Sequence, residues 1–231
     1  MPVETLFLDA GGVLLFPNWN RISRSMARQG VHVAPEQLAA ADAPARHGID
    51  TARVVGSTDD AQRGQRYFDV LLRIAGVQAS PATAAALKDL QAYHDECNLW
   101  ELVSEDGRSS LAAIRGLGVR VVLVSNANGT LQRHVDRLGL RSLLDAVVDS
   151  HDEGIEKPDP RVFHRVLERV GAAPATTVHV GDFYQIDIVG ARAAGLRAVL
   201  FDAAGLYPDV DCSRVSSLTD LVEALRTGRF G

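Results

Sequence analysis

Four short stretches hold the residues whose types and spacing could do chemistry. Leu6-Phe7-Leu8-Asp9-Ala10-Gly11-Gly12 is an apolar run that ends in a carboxylate and two glycines. Val121-Val122-Leu123-Val124 runs into Ser125-Asn126, a hydroxyl beside an amide. Glu156-Lys157-Pro158 places an ammonium before a proline. Thr177–Val180 runs into Gly181-Asp182, and Asp187 follows five positions later. A buried strand tolerates a charge only at a cost, so Asp9 belongs where its strand leaves the core. Gly11 and Gly12 let the chain turn sharply and let a ligand approach the backbone. Each stretch alone has an ordinary explanation: a turn at Ser125-Asn126, a solvated Lys157, a helix cap at Asp182, an exposed helical Asp187. Their common position, each at or after the end of an apolar β-type run, is what packing does not explain. In a parallel sheet such ends share one edge, where open α/β sheets bind ligands.

The elements that must position these groups alternate. Strands are expected at Thr5–Leu8, Arg120–Val124, Ala146–Asp149, Thr177–Val180 and Ala198–Phe201, with a further short apolar piece at Val13–Phe16. Helices are expected at Ser109–Leu117, Thr130–Leu138, from Asp159 to Val170, at Ile186–Ala194 and at Leu218–Arg226. Asp159 can cap its helix with Pro160 in first position. Strands alternating with helices imply a parallel sheet covered on both faces, with right-handed crossovers. Residues 17–100 read as helical throughout: Trp19, Ile22 and Met26 recur at helical spacing, Ser57-Thr58-Asp59-Asp60 starts a helix, and Ser80-Pro81 starts another. This stretch is far longer than a crossover of about a dozen residues requires. It is therefore expected to be an inserted all-α domain at 17–100, with 1–16 and 101–231 forming a Rossmann-like, doubly wound α/β core. Trp19 and Trp100 flank the two connections, as packing residues or as parts of a hinge.

Bulk properties exclude some classes. Lys and Arg total 24 and Asp and Glu 29, a net charge of −5, which argues against a nucleic-acid or membrane surface. Cys97 and Cys212 do not make a disulfide framework and read as reduced packing residues. The N-terminal residues lack a basic segment followed by an apolar run, and no apolar stretch is long enough to span a bilayer. A soluble cytoplasmic protein is the expectation.

With these residues in this order, the chain resembles the haloacid dehalogenase superfamily, with a helical cap inserted after the first core strand; the likeness covers about Thr5 to Asp202. The resemblance implies an aspartyl-phosphate phosphatase whose substrate is a small phosphorylated metabolite. Asp9 would be the nucleophile. Mg²⁺ would be held by Asp9, the Gly11 carbonyl, Asp182 and Asp187, the last through water if not directly, because hard oxygen ligands suit that ion. Without a cation, three close carboxylates would force one to take up a proton. The Ser125 hydroxyl and the N–H groups of Ala10, Gly11 and Asn126 would bind phosphate oxygens, and Lys157 would offset the charge of nucleophile and phosphate. Ser125 and Lys157 are thereby expected in the catalytic set with Asp9. Pro158 keeps Lys157 in an extended backbone conformation.

The chain departs from the pattern at one position of consequence. Phosphatases of this superfamily usually carry a second Asp two residues after the nucleophile, where this chain has Gly11. A positioned general acid–base is worth about 10² to 10⁴ in rate. Three readings follow: a phosphatase that is slow, restricted to good leaving groups or supplied with a proton from the cap, with His47 and Asp59 as candidate donors; a 2-haloacid dehalogenase-type hydrolase, whose halide leaves unprotonated but whose branch uses no Mg²⁺ and lacks the Gly181-Asp182 pair; or a catalytically weak protein that binds a phosphorylated ligand or a partner. Phe183 and Ile186 also depart from the Ser and Asn usual near the fourth strand. Arg21, Arg46, Arg53 and Arg63 are candidate substrate contacts on the helices of the insertion.

Overall fold

The computed structural model describes Pro2–Phe230. The chain divides into two units, Met1–Phe16 with Val103–Gly231, and Pro17–Leu102. The strands are β1 (Thr5–Leu8), β2 (Leu15–Phe16), β3 (Leu102–Val103), β4 (Arg120–Ser125), β5 (Ala146–Asp149), β6 (Thr177–Gly181), β7 (Arg197–Phe201) and β8 (Ser213–Val215). Six of them form one sheet in the order β5-β4-β1-β6-β7-β8, every neighbouring pair parallel. The two-residue strands β2 and β3 flank the helical unit in sequence.

The sheet is buried on both faces, as near-continuous apolar strands demand. Leu6, Leu8, Val121, Leu123, Val178 and Val180 are fully buried on one face. On the other, Phe7, Val122, Val124 and Val148 pack with Val162, Phe163, Val166 and Leu167 of the helix Pro160–Val170 and with Ala191 and Ala194. The α/β, Rossmann-like reading of the core is correct. From β1 the chain lays down β4 and β5 on one side, then crosses to β6, β7 and β8 on the other. The strand order therefore reverses beside β1, and the carboxyl end of β1 is the switch point at which such sheets take ligands. Register sets the heights: Leu8 pairs with Leu123 and with Val180, and Ser125 with Asp149.

Local sequence explains most boundaries. Asp159 caps its helix by accepting from the Arg161 N–H, with Pro160 at the first position. The helix expected at Ile186–Ala194 is different: a π-helical turn, Tyr184–Ile188, precedes a short α-helix, Val189–Ala193. The edge strand β8 was not expected, because its three residues carry no periodic signal.

The helical unit holds helices Trp19–Arg28, Pro35–Ile49, Asp60–Ile74 and Pro81–Cys97, with a single turn at Ala52–Val55. Asp59 and Ser80 cap the third and fourth as their sequence suggests. Inside it, Tyr67 Oη donates to Asp42 Oδ1 at 2.6 Å, and Arg46 Nη2 bonds Asp42 Oδ2 at 3.0 Å. Trp100 packs among Tyr67, Phe68 and His94. Arg21 stacks on the Tyr93 ring and pairs with Glu101 at 3.1 Å.

Candidate active site

The strand ends bring the expected groups together within the core unit. Asp9 follows β1 and its N–H donates to the Val180 carbonyl at 2.9 Å, which fixes the Asp9 backbone to β6. The loop then reverses at once: Leu14 and Leu15 donate to the Ala10 carbonyl, and the Gly12 N–H donates to the Leu15 carbonyl. Gly12 has φ +74°, the left-handed region that favours glycine, whereas Gly11 lies outside it.

Asp9, Asp182 and Asp187 each present a carboxylate oxygen, and the three lie within 4.8 Å of one another. All three are buried. Lys157 is 2% exposed, and its Nζ lies 2.7 Å from Asp9 Oδ1 and 2.6 Å from Asp187 Oδ1. Neither Lys157 nor Asp187 is the solvated surface group that each would be in isolation. Burial pulls the Lys157 ammonium down, but Asp187 and Asp9 outweigh it and hold the ammonium above its ordinary value. Burial likewise opposes ionisation of Asp187, but Lys157 and His179 hold its carboxyl well below the usual carboxylate range. Asp9 goes the other way: burial raises it, and the Lys157 it shares with Asp187 does not fully compensate. Three carboxylates against one ammonium leave the cluster short of positive charge. All-oxygen donors with a net negative charge are what a hard divalent cation such as Mg²⁺ takes, so the donor set fits that ion.

Asn126 takes part in a way its sequence context did not reveal. Its side chain holds the Lys157 backbone at two points: Oδ1 accepts from the Lys157 N–H at 2.8 Å and Nδ2 donates to the Lys157 carbonyl at 2.9 Å. Ser125 is buried at the end of β4. The loop after Asn126 is held from β5, where Asp149 Oδ2 accepts from the Gly129 and Leu131 N–H groups at 2.9 and 3.2 Å.

His179 was missed altogether. It lies in β6, fully buried, with Nε2 2.9 Å from Asp187 Oδ1. Burial lowers its pKa despite the neighbouring carboxylate. The available signal was period two in a strand: His179 shares a face with Gly181, over which Asp187 folds. A Cβ on Gly181 would lie 2.1 Å from Asp187 Cγ, so glycine at that position is what lets the carboxylate reach Lys157.

Of the residues considered on the helical unit, Arg21, Arg46 and Arg63 are engaged by Glu101, Asp42 and the Thr58 carbonyl. Arg53 and His47 are exposed, and Asp59 is an N-cap.

The chain is similar to known proteins. A model of the haloacid dehalogenase-like hydrolase family matches residues 3–195. Haloacid dehalogenase-like hydrolase domain-containing protein 3 of Bos taurus is 35% identical over 126 residues, 54% of this chain and 50% of that protein. The chain thus spans about half the length of that curated relative. Glyceraldehyde 3-phosphate phosphatase of Methanopyrus kandleri is 32% identical over 172 residues, 69% of this chain and 72% of that protein. Among solved structures, the magnesium-bound HAD-hydrolase YfnB of Bacillus subtilis aligns with a TM-score of 0.70 at 19% identity, covering 97% of this chain and 99% of that one. A 2-haloacid dehalogenase of Pseudomonas syringae aligns with a TM-score of 0.60 at 23% identity, covering 99% and 100%. These structural likenesses speak for the fold alone. Among the described residues no helix is long and apolar enough to cross a membrane. With the family model matched over most of its length, the chain belongs to the haloacid dehalogenase-like hydrolase family.

Proposed function

We propose that this hydrolase is a Mg²⁺-dependent phosphatase acting on a small phosphorylated metabolite through Asp9. The single observation that carries the reading is the buried Lys157 ammonium 2.7 Å from Asp9 Oδ1, beside three carboxylates within 4.8 Å of one another. Asp9 would attack phosphorus and expel the alcohol or acid, leaving an aspartyl-phosphate; water would then cleave the P–O bond to regenerate Asp9 and release phosphate. Lys157 would neutralise charge on both nucleophile and phosphoryl oxygens, and the Ser125 hydroxyl with the N–H groups of Ala10, Gly11 and Asn126 would orient those oxygens. Asp9, the Gly11 carbonyl, Asp182 and Asp187 would hold the ion, with Asp187 already committed to Lys157 and His179. When bound, the ion would supply charge neutralisation around the transferred group. The unit Pro17–Leu102 is proposed as the cap, and the cell interior as the location.

Gly11 narrows the chemistry. It offers no proton to a leaving oxygen, so the natural substrate either leaves as a weakly basic group, as acyl and aryl phosphates do, or receives its proton from elsewhere. Relatives named glyceraldehyde 3-phosphate phosphatase and ribulose-1,5-bisphosphate 5-phosphatase support a phosphorylated metabolite. Asp9→Asn is expected to abolish hydrolysis of p-nitrophenyl phosphate in the presence of Mg²⁺, read as released phenolate; an unchanged rate rejects the mechanism.

Gly11 also favours a second reading, carbon–halogen hydrolysis, because halide needs no proton. Halide release from a 2-haloacid with chelator present would establish it in place of phosphatase chemistry. Ligand-dependent thermal stabilisation by phosphorylated metabolites with no turnover would instead mark a binding protein.

A further inference from the structure

Strand β6 carries one side chain that its packing does not ask for. His179 stands in register beside Phe7 and meets the Phe163 ring edge-on, with 4.9 Å between centroids. Phe7 and Phe163 belong to the hydrocarbon cluster that fills that face of the sheet. A Leu or Phe would fill the same place without removing two ring nitrogens from water. One nitrogen is accounted for by the 2.9 Å contact of Nε2 with Asp187 Oδ1. The other, Nδ1, is buried with no hydrogen-bond partner among the described residues. Neutral imidazole carries its hydrogen on one nitrogen and a lone pair on the other. The carboxylate oxygen accepts, so a hydrogen is on Nε2.

We propose that His179 is a positioning residue whose Nε2–H fixes the Asp187 carboxylate and, through it, the place of the Lys157 ammonium against Asp9. Asp187 Oδ1 receives both Lys157 and His179, and Oδ2 receives the Phe183 N–H at 3.1 Å. The bare Cα of Gly181 leaves the space in which this carboxylate sits. Without the imidazole N–H, Oδ1 answers to Lys157 alone, and carboxylate and ammonium are free to shift together. His179 is separated from Asp9 by that pair, so its effect is on rate, through geometry, and not on affinity.

The kinetic part of the test rests on the phosphatase reading; the spectroscopic part does not. His179→Leu is expected to fold with a Tm equal to or above that of the parent. With p-nitrophenyl phosphate and Mg²⁺ its kcat should fall by about 10- to 100-fold, the scale of a small misplacement of a reacting group, with KM little changed. His179→Gln, whose amide N–H reaches the place of Nε2, is expected to recover most of that loss. His179→Phe provides the same deletion with the aromatic edge retained should the Leu variant not fold. Unchanged kcat in the deletion variants, or a Gln variant as slow as they are, overturns the proposal. Independently, ¹⁵N NMR of the imidazole at neutral pH should show a protonated Nε2, and the Lys157 ¹⁵Nζ resonance should move in His179→Leu. A bare Nε2 or an unmoved Lys157 resonance overturns it. A parent protein that turns over no phosphate ester ends the phosphatase reading and leaves the NMR outcome to decide the role of His179.

Discussion

Asp9, Lys157 and Asp187 form a chain of charges in which each group's state depends on the next. Lys157 keeps Asp187 ionised, while Asp9, sharing the same ammonium, is the carboxylate that burial pushes up. Gly11 stands two residues beyond the proposed nucleophile, outside the left-handed region, so its backbone accepts an aspartate. Gly11→Asp is expected to raise hydrolysis of alkyl phosphates, by up to the factor of about 10² to 10⁴ that a positioned acid contributes. Steady-state kinetics on an alkyl and an aryl ester, side by side, checks this: the gain should be largest for the poorer leaving group. Equal rates before and after would mean that the proton comes from elsewhere or that none is needed.

At the scale of elements, the site depends on how two segments end. β6 stops at Gly181, and the π-helical turn Tyr184–Ile188 brings Asp187 back over it. Single π turns inside or before α-helices recur at functional sites because they shift side-chain phase. Gly181→Ala would drive a methyl to 2.1 Å from Asp187 Cγ. The carboxylate would have to leave Lys157 and His179, and activity on p-nitrophenyl phosphate should fall by about 10²-fold. Circular dichroism should show the fold retained, with stability reduced by about 1–3 kcal/mol, as overpacking costs. Retained activity in this variant would mean that Asp187 need not sit against Lys157. Asn126 and Asp149 act at the same scale. One clamps the backbone of Lys157 and the other gathers two amides of the loop after β4.

Across the whole molecule, the carboxylates come from positions 9, 182 and 187 and the ammonium from position 157, so their assembly reports folding of the core unit. An ion that binds only the folded site stabilises it by mass action. If Mg²⁺ is the ion, at about 100 times its Kd it is expected to contribute about 2.7 kcal/mol, which for a chain of this size would raise Tm by about 5–10 °C. The sign of the pH dependence follows from Asp9. Its folded-state value is raised, so at acid pH it holds a proton that the ion must displace; the stabilisation should shrink as pH falls and grow as pH rises. Differential scanning fluorimetry with and without chelator checks both. A shift independent of Asp9, seen equally in Asp9→Asn, would place the ion elsewhere.

The amino-acid sequence by itself determined the alternation of strands and helices, the helical character of 17–100 and the four strand ends with chemical groups, because these depend on periodicity, caps and glycine, all of which act over a few residues. Family membership was also legible, carried by the order of Asp9, Ser125-Asn126, Lys157-Pro158 and Gly181-Asp182. Only the tertiary structure decided that Lys157 and Asp187 are buried partners, that the Asn126 side chain serves the Lys157 backbone, and that a histidine inside a strand belongs to the site. The π-helical turn that aims Asp187 was likewise invisible in the chain's local pattern. The Lys157–Asp187 and Asn126–Lys157 contacts join residues 30 and 31 positions apart, made where parallel strands end at a common height, and no local pattern encodes a distance of that kind.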